Sequence, residues 1–386
     1  MLRSRRAPSG AFAVVFACFI ACACSNTTTP VGTGSPDAGG NAGGDVHSAI
    51  AGAGASAGGV SPVDASSGGT SRSLAGGGSD LASAGASGAT SSAVRRIFYL
   101  DVQGSVLAFD EDDSTPRTLV SSAGKGPDGI AVDVAGGHLF WTTMGVPADN
   151  DGSLRRSELD GSKITTIVAT GMTYTPKQLK LDLAGQKLYW ADREGMRIQR
   201  AAMDGSGLET LVTVATGDAA RKDAGNWCVG LALDLTHGFV YWTQKGPDNG
   251  KVGSIRRAHL QMPDGETAAT RTDVEVLIDG LPEPVDLDLD ATGGDLYMYW
   301  SDRGDDTINR APIEIPSGMT AATRDDREIL VRGVREAIGV ALDLERGHVY
   351  YTSGASGRVG RANLDGSGAR DLVTGSGALT GIAVVQ

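Results

Sequence analysis

The sequence predicts an all-β fold, a six-bladed β-propeller closed by its own C-terminal strand, and three observations predict it. An aromatic anchor recurs six times at intervals of about 40 to 60 residues, the period of a propeller blade. A short apolar segment ending in an acid stands before five of those anchors. The chain then closes on a copy of that segment, where no further anchor follows.

The first quarter of the chain stands outside this pattern. Arg3, Arg5 and Arg6 precede an apolar run from Ala11 to Ala23 that is too short to span a bilayer comfortably. Residues 1–24 therefore read as a signal peptide. The run ends in Ile20-Ala21-Cys22-Ala23-Cys24, which resembles the lipobox of bacterial lipoproteins. Cys24 is the preferred lipidation site, Cys22 the second choice, and a leader cleaved without lipid the remaining alternative. Ser25 carries no inner-membrane retention signal, so the expected location is an exported chain anchored to the outer membrane, periplasmic or surface-exposed.

The cysteines are Cys18, Cys22, Cys24 and Cys228, so cleavage at Cys24 leaves one in the folded region and no disulfide framework there. From Ser25 to Ala93 the chain is almost entirely Gly, Ala, Ser and Thr with scattered acids and no aromatic residue. Such a segment buries too little apolar surface to offset its ordering entropy, so residues 25–93 read as a disordered tether. The match Gly54-Ala55-Ser56-Ala57-Gly58 to a nucleophile elbow lies inside it, without strand-turn-helix context. A formal charge of −12 disfavours nucleic acid as a partner and disfavours polybasic docking on a membrane.

Residues 94–386 carry the repeat. The anchors are Phe98-Tyr99-Leu100-Asp101, Phe140-Trp141-Thr142-Thr143, Tyr189-Trp190-Ala191-Asp192, Tyr241-Trp242-Thr243-Gln244, Tyr299-Trp300-Ser301-Asp302 and Tyr350-Tyr351-Thr352-Ser353. The apolar strands ahead of the last five end in Asp133, Asp182, Asp234, Asp288 and Asp343. A third strand begins at Arg156, Arg200, Arg257, Arg310 and Arg361, and three of these run into Asp-Gly-Ser, the chemistry of a tight turn. A fourth strand follows, giving four short strands per unit. The first unit lacks its leading strand, and Gly381-Ile382-Ala383-Val384 copies Gly129-Ile130-Ala131-Val132, so the C-terminus is expected to supply it and abolish two free sheet edges.

These residues as a set resemble the YWTD propellers of the low-density-lipoprotein-receptor class B repeat family, over roughly residues 95–386. The resemblance implies a binding or scaffolding module. Leu100, Gln244 and Tyr351 depart from the motif, and no cysteine-rich module seals one face.

In a repeat fold a residue that recurs in every unit reads as scaffold, and one that occurs once reads as a candidate for function. The recurrent Asp and Arg series and Trp141, Trp190, Trp242 and Trp300 fall in the first class. The second class lies in connections expected at the channel mouth: Asp128, Tyr174, Lys177, Trp227, Glu283, Arg335 and Glu336 before inner strands, and Arg193, Lys245 and Arg303 after aromatic strands. Trp227 reads either as an exposed recognition aromatic or as a loop residue folded onto its own blade. Lys180 and Asp286 are placed at the inner-strand position held elsewhere by Ala131, Ala232, Ala341 and Ala383, lining the channel.

Asp149-Asn150-Asp151-Gly152 and the Asp286, Asp288, Asp290 series are oxygen-rich but lack the distal glutamate of a calcium loop. No metal, cofactor or catalytic residue is assigned. The expected function is a membrane-tethered binding propeller that presents its mouth to a protein, peptide or glycan. The alternative is a calcium-dependent hydrolase or lyase of lactonase-like propeller type, since fold does not dictate function.

Overall fold

The computed structural model describes residues 94–292 and 296–385; the leader, Cys24 and the tether lie outside them. Blade 1 opens with β1 (Arg96–Asp101), β2 (Ser105–Asp110) and β3 (Arg117–Val120). Blade 2 holds β4 (Pro127–Asp133), β5 (His138–Thr143), β6 (Ser153–Glu158) and β7 (Thr165–Val168). Blade 3 holds β8 (Pro176–Asp182), β9 (Lys187–Asp192), β10 (Arg197–Ala202) and β11 (Glu209–Thr213). A short helix α1 (Asp218–Arg221) precedes blade 4, built of β12 (Cys228–Asp234), β13 (Phe239–Gln244), β14 (Gly253–His259) and β15 (Glu275–Leu281). Blade 5 is β16 (Pro284–Asp290), β17 (Tyr297–Asp302), β18 (Thr307–Pro312) and β19 (Glu328–Arg332). Blade 6 is β20 (Ala337–Asp343), β21 (His348–Ser353), β22 (Arg358–Asn363) and β23 (Arg370–Val373), and β24 (Leu379–Val385) ends the chain.

Each blade is a four-stranded antiparallel sheet, and in the first the order is β24-β1-β2-β3. Arg96 faces Val385 and Phe98 faces Ala383, so the C-terminus does supply the missing inner strand. Inner strands pack on their neighbours in sequence, and β24 touches both β20 and β4, which completes the ring.

The aromatic strand of a blade is covered on both faces by neighbouring blades, which is why its residues are buried almost without alternation. The core is accordingly divided among the six seams. Phe98 packs with Trp141, Phe140 with Trp190, Tyr189 with Trp242, Tyr241 with Trp300, Tyr299 with Tyr351 and Tyr350 with Tyr99. The first aromatic of each motif thus serves one seam and the second serves the seam on the other side. Removing one such ring to alanine costs about 3–5 kcal/mol.

The motif's hydroxyl stitches the inner strands. Thr243 Oγ1 accepts from Gly230 N at 2.7 Å within its blade and donates to Val285 O of the next at 2.6 Å. Thr142, Ser301 and Thr352 repeat the arrangement. At Gly230 a Cβ would lie 2.3 Å from that same Val285 carbonyl oxygen, which explains the glycine.

The recurrent acids and arginines hold turns and seams. Asp133, Asp182, Asp234 and Asp343 each accept the amide three residues on, shaping the turn into the aromatic strand. Arg200 Nη1 donates to Leu260 O, Arg310 Nη1 to Leu364 O and Arg257 Nη1 to Glu314, each in the next blade. Arg361 pairs with Glu111 across the closing seam.

The fifth repeat corrects the sequence reading. Asp288, not Asp286, pairs with Tyr299 as Ala131 pairs with Phe140, so the turn acid of blade 5 is Asp290. A strand alternates with period two, so a two-residue slip preserves the order of acid and apolar residues and leaves no trace in the pattern. Asp286 stands instead at the inner-strand position of Gly129 and Gly230.

Candidate functional site: the charged channel mouth

Antiparallel pairing places the first residue of each inner strand opposite the last of the aromatic strand, as in Pro176 with Asp192 and Pro284 with Asp302. The connections before the one and after the other therefore emerge at the same end of the ring. The last motif residue ties them together. Asp192 accepts from the amides of Tyr174 and Thr175, and Asp302 accepts from Glu283 N at 2.9 Å.

Across blades 2 to 5 these connections and the starts of the inner strands form a paired ionic layer, in which Asp128 and Lys177 stand at the second positions of β4 and β8 and not in the connections before them. Lys177 Nζ is held by the buried Asp128. Arg193 pairs with Glu194 through Nε, 2.8 Å from each oxygen, and through Nη2, 2.6 Å from Oε1, and its guanidinium lies 4.9 Å from the Trp227 ring centroid. Lys245 covers the same ring at 5.6 Å and pairs with Glu283. Arg303 joins Glu283 at 2.8 Å and reaches the exposed Asp248. The helix α1 folds over this layer, with Arg221 stacked 3.7 Å from the Tyr174 ring centroid and its carbonyl receiving Trp227 Nε1 at 2.8 Å.

Trp227 is 7% exposed, so the exposed-aromatic reading is corrected: the indole is folded down beneath two cations. Asp128, Lys177, Arg193, Lys245 and Glu283 are likewise buried. Burial lowers the Lys177 ammonium and raises the Glu283 carboxyl. At Glu194 burial acts upward, but the charge and hydrogen bond of Arg193, with Thr175 and Lys177, together hold the carboxylate below its usual range.

Deeper in the channel, Lys180 of blade 3 reaches Asp288 of blade 5 at 3.2 Å, bypassing the small Ala232 of blade 4 between them. Burial opposes the Lys180 charge, but Asp288 and Asp286 raise it on balance. Asp286 and Asp288 also accept from Val340 N at 2.8 Å and Leu342 N at 3.1 Å, forming side-chain rungs onto the next inner strand. Burial pushes the Asp286 carboxyl up to about 7.

Arg335 and Glu336 lie in blade 6, away from these pairs; Arg335 is exposed, and Glu336 N donates to Asp306 at 2.9 Å. Five residues at the mouth escaped the sequence: Glu194, Arg221, Asp248, Met172 and Val252. The adjacency of Glu194 to Arg193 was its only signal. Met172 and Val252 are 49% and 56% exposed, in the connection before β8 and the one after β13, hence on this face. Among the described residues no three His, Cys, Asp or Glu side chains come together to hold a metal ion. Cys228 is buried, and burial pushes its thiol far up, which leaves it without thiolate character.

Six radial sheets built on motifs that vary about Tyr-Trp-Thr-Asp, with connections gathered into a charged mouth, define a YWTD-type β-propeller. The chain belongs to the low-density lipoprotein receptor-related family. It is 41% identical over 311 residues to low-density lipoprotein receptor-related protein 1 of Pyricularia oryzae, covering 75% of this chain and 98% of that protein. It is 40% identical over 294 residues to 3-hydroxyacyl-CoA dehydrogenase-like protein LAM1 of Cochliobolus heterostrophus, of which it spans only 60%. No family model matches the chain. Among solved structures, a nidogen/laminin complex aligns with a TM-score of 0.57 at 21% identity, over 76% of this chain and 98% of that one. TolB of Acinetobacter baumannii aligns at 0.53 and 14% identity, over 75% of this chain and 66% of that one. At such identities both show the shared fold alone.

Proposed function

We propose that the chain is a non-enzymatic binding or scaffolding propeller whose channel mouth receives a protein ligand, with a peptide or a glycan as the alternatives. One observation carries the reading. The ionic layer of blades 2 to 5 is already paired and buried, so it supplies a rigid platform, while exposed Met172 and Val252 lie in connections on the same face of the ring. A pre-ordered platform with apolar contacts at its surface loses little entropy on docking. The family relationship and the fold shared with a chain of a solved nidogen/laminin complex support a protein partner. Photo-crosslinking from position 251, exposed in the connection after β13, followed by pull-down, tests the reading. Partner recovery should fall at least tenfold in a Met172→Asp, Val252→Asp, Arg335→Ala variant that melts like the parent. Equal recovery by both forms would exclude this face.

The leader supports tethering of the module to a membrane, the outer one in a bacterial-type cell, through lipid on Cys24. No helix of the described residues is long and apolar enough to cross a membrane. Metabolic labelling with a palmitate analogue should mark the full chain and be lost in Cys24→Ser. Label lost only in Cys22→Ser would move the site, and no label in the parent would reject the anchor.

A further inference from the structure

One seam lacks the arginine that bridges its counterparts. In five blades the third-strand residue opposite the first motif aromatic is an arginine: Arg156 opposite Phe140, Arg200 opposite Tyr189, Arg257 opposite Tyr241, Arg310 opposite Tyr299 and Arg361 opposite Tyr350. In blade 1 the residue opposite Phe98 is Ala108. A cavity of about 300 Å³ opens at that seam, floored by Ala108, Phe109, Leu119 and Leu159 and bounded by Asp160.

The far wall of this slot keeps the features that receive an arginine elsewhere. Leu159, Leu260 and Leu364 are equivalent, since their amides donate to Gly137 O, Gly238 O and Gly347 O respectively. The carbonyls of Leu260 and Leu364 accept Arg200 and Arg310. Asp160 matches Asp204 and Asp365, which feel the charges of Arg156 and Arg310. At the first seam the same carbonyl and carboxylate face an alanine.

We infer that this slot is a docking site for the guanidinium side chain of an arginine presented by a protein or peptide partner. The floor takes the methylene stem, the Leu159 carbonyl takes a guanidinium N–H as Leu260 O and Leu364 O take those of Arg200 and Arg310, and Asp160 supplies the opposite charge as Asp365 does beside Arg310. Arg96 and Arg117 also line the slot, and both are drawn onto Asp110, at 2.7 Å and 2.9 Å. Their charges are thereby partly neutralised, and Asp160 is left to the incoming cation. The site lies on the outer rim and does not depend on the mouth being the ligand face.

Saturation-transfer NMR on the full chain with N-acetyl-arginine amide tests the inference, with the citrulline and glutamate analogues as controls. Arginine amide should bind at least fivefold more tightly than its neutral citrulline isostere. Ala108→Arg should abolish that binding while melting no lower than the parent, because the new side chain fills the slot. Should Ala108→Arg fail to fold, Asp160→Asn serves instead, since an asparagine oxygen can still accept the Ser162 amide that Asp160 holds at 2.8 Å. It should weaken arginine binding at least threefold. Preferential binding of the glutamate analogue, which would bridge Arg96 and Arg117, overturns the inference. So does no arginine binding at tens of millimolar, or binding unchanged in the folded variants.

Discussion

At the scale of single residues, the stitching hydroxyl and the motif's acid make opposite demands. Thr243→Val keeps the shape but strands two buried backbone groups, Gly230 N and Val285 O. The expected loss is about 2–3 kcal/mol in urea unfolding. Asp302 is different, because burial first, and Asp305 after it, push its carboxyl up to about 7. A carboxyl raised in the folded state binds more protons there than when unfolded, so its contribution to stability is complete in acid and is lost as pH rises from about 4 through 7. Asp302→Asn keeps an oxygen for the Glu283 and Gly304 amides, so melting should change little at pH 4 and rise at pH 8, by about 2 kcal/mol in stability. A parallel pH profile for variant and parent would contradict the assignment. Whether a residue was scaffold was legible from its recurrence, as the turn acids show. The place of Asp286 was not, because alternation carries no absolute register.

Among elements, the outer edge of each seam shows one task performed by two unrelated devices. Tight Asp-Gly-Ser turns bring Gly161, Gly205 and Gly366 against the carbonyls of Leu119, Ile167 and Leu330 in the preceding blade. A Cβ at Gly205 would sit 1.8 Å from Ile167 O, and its φ of +87° is itself unfavourable for other residues. In blades 4 and 5 long connections replace the turn, and there an arginine reaches the equivalent carbonyl. Arg271 Nη1 donates to Leu211 O at 2.8 Å, and Arg324 Nη1 to Leu277 O at 3.0 Å, while Asp273 and Asp326 hold the two guanidiniums. The signal was in the chain, since Thr267-Ala268-Ala269-Thr270-Arg271 recurs as Thr320-Ala321-Ala322-Thr323-Arg324. It lay outside the strand pattern and meant nothing without the neighbour it reaches. Arg324→Ala should cost about 2–3 kcal/mol, because it leaves a buried carbonyl unpaired and frees Asp326. The Asp279 amide, which donates to Ala321 O in that connection, should exchange faster, with the amides of blade 2 unchanged. Uniform protection across the ring would refute the clamp.

For the whole molecule, closure was the most legible property, because a truncated first repeat and a surplus final strand can be satisfied together only by joining them. Deleting residues 378–386 should lower the melting midpoint by at least about 10 °C and promote association, since it exposes the edge of β1 and opens two seams. A truncated chain that melts like the parent would sink the closure. The mouth was the least legible, because its pairs join residues from different blades: Asp128 and Lys177, Arg193 and Trp227, Lys245 and Glu283. Their proximity is set by the ring, which no local pattern encodes. Position on the face could be foreseen from the repeat; burial and partnership could not.

The antiparallel match of Arg96 with Val385 leaves both ends of the folded region at one corner of one sheet. A force that draws those ends apart meets the ladder between β1 and β24 one rung at a time, in the manner of a zipper, and not all rungs at once in shear. Under tension of that kind the ring should yield at low load and at this blade before any other, so the latch that completes the molecule is also its mechanical release.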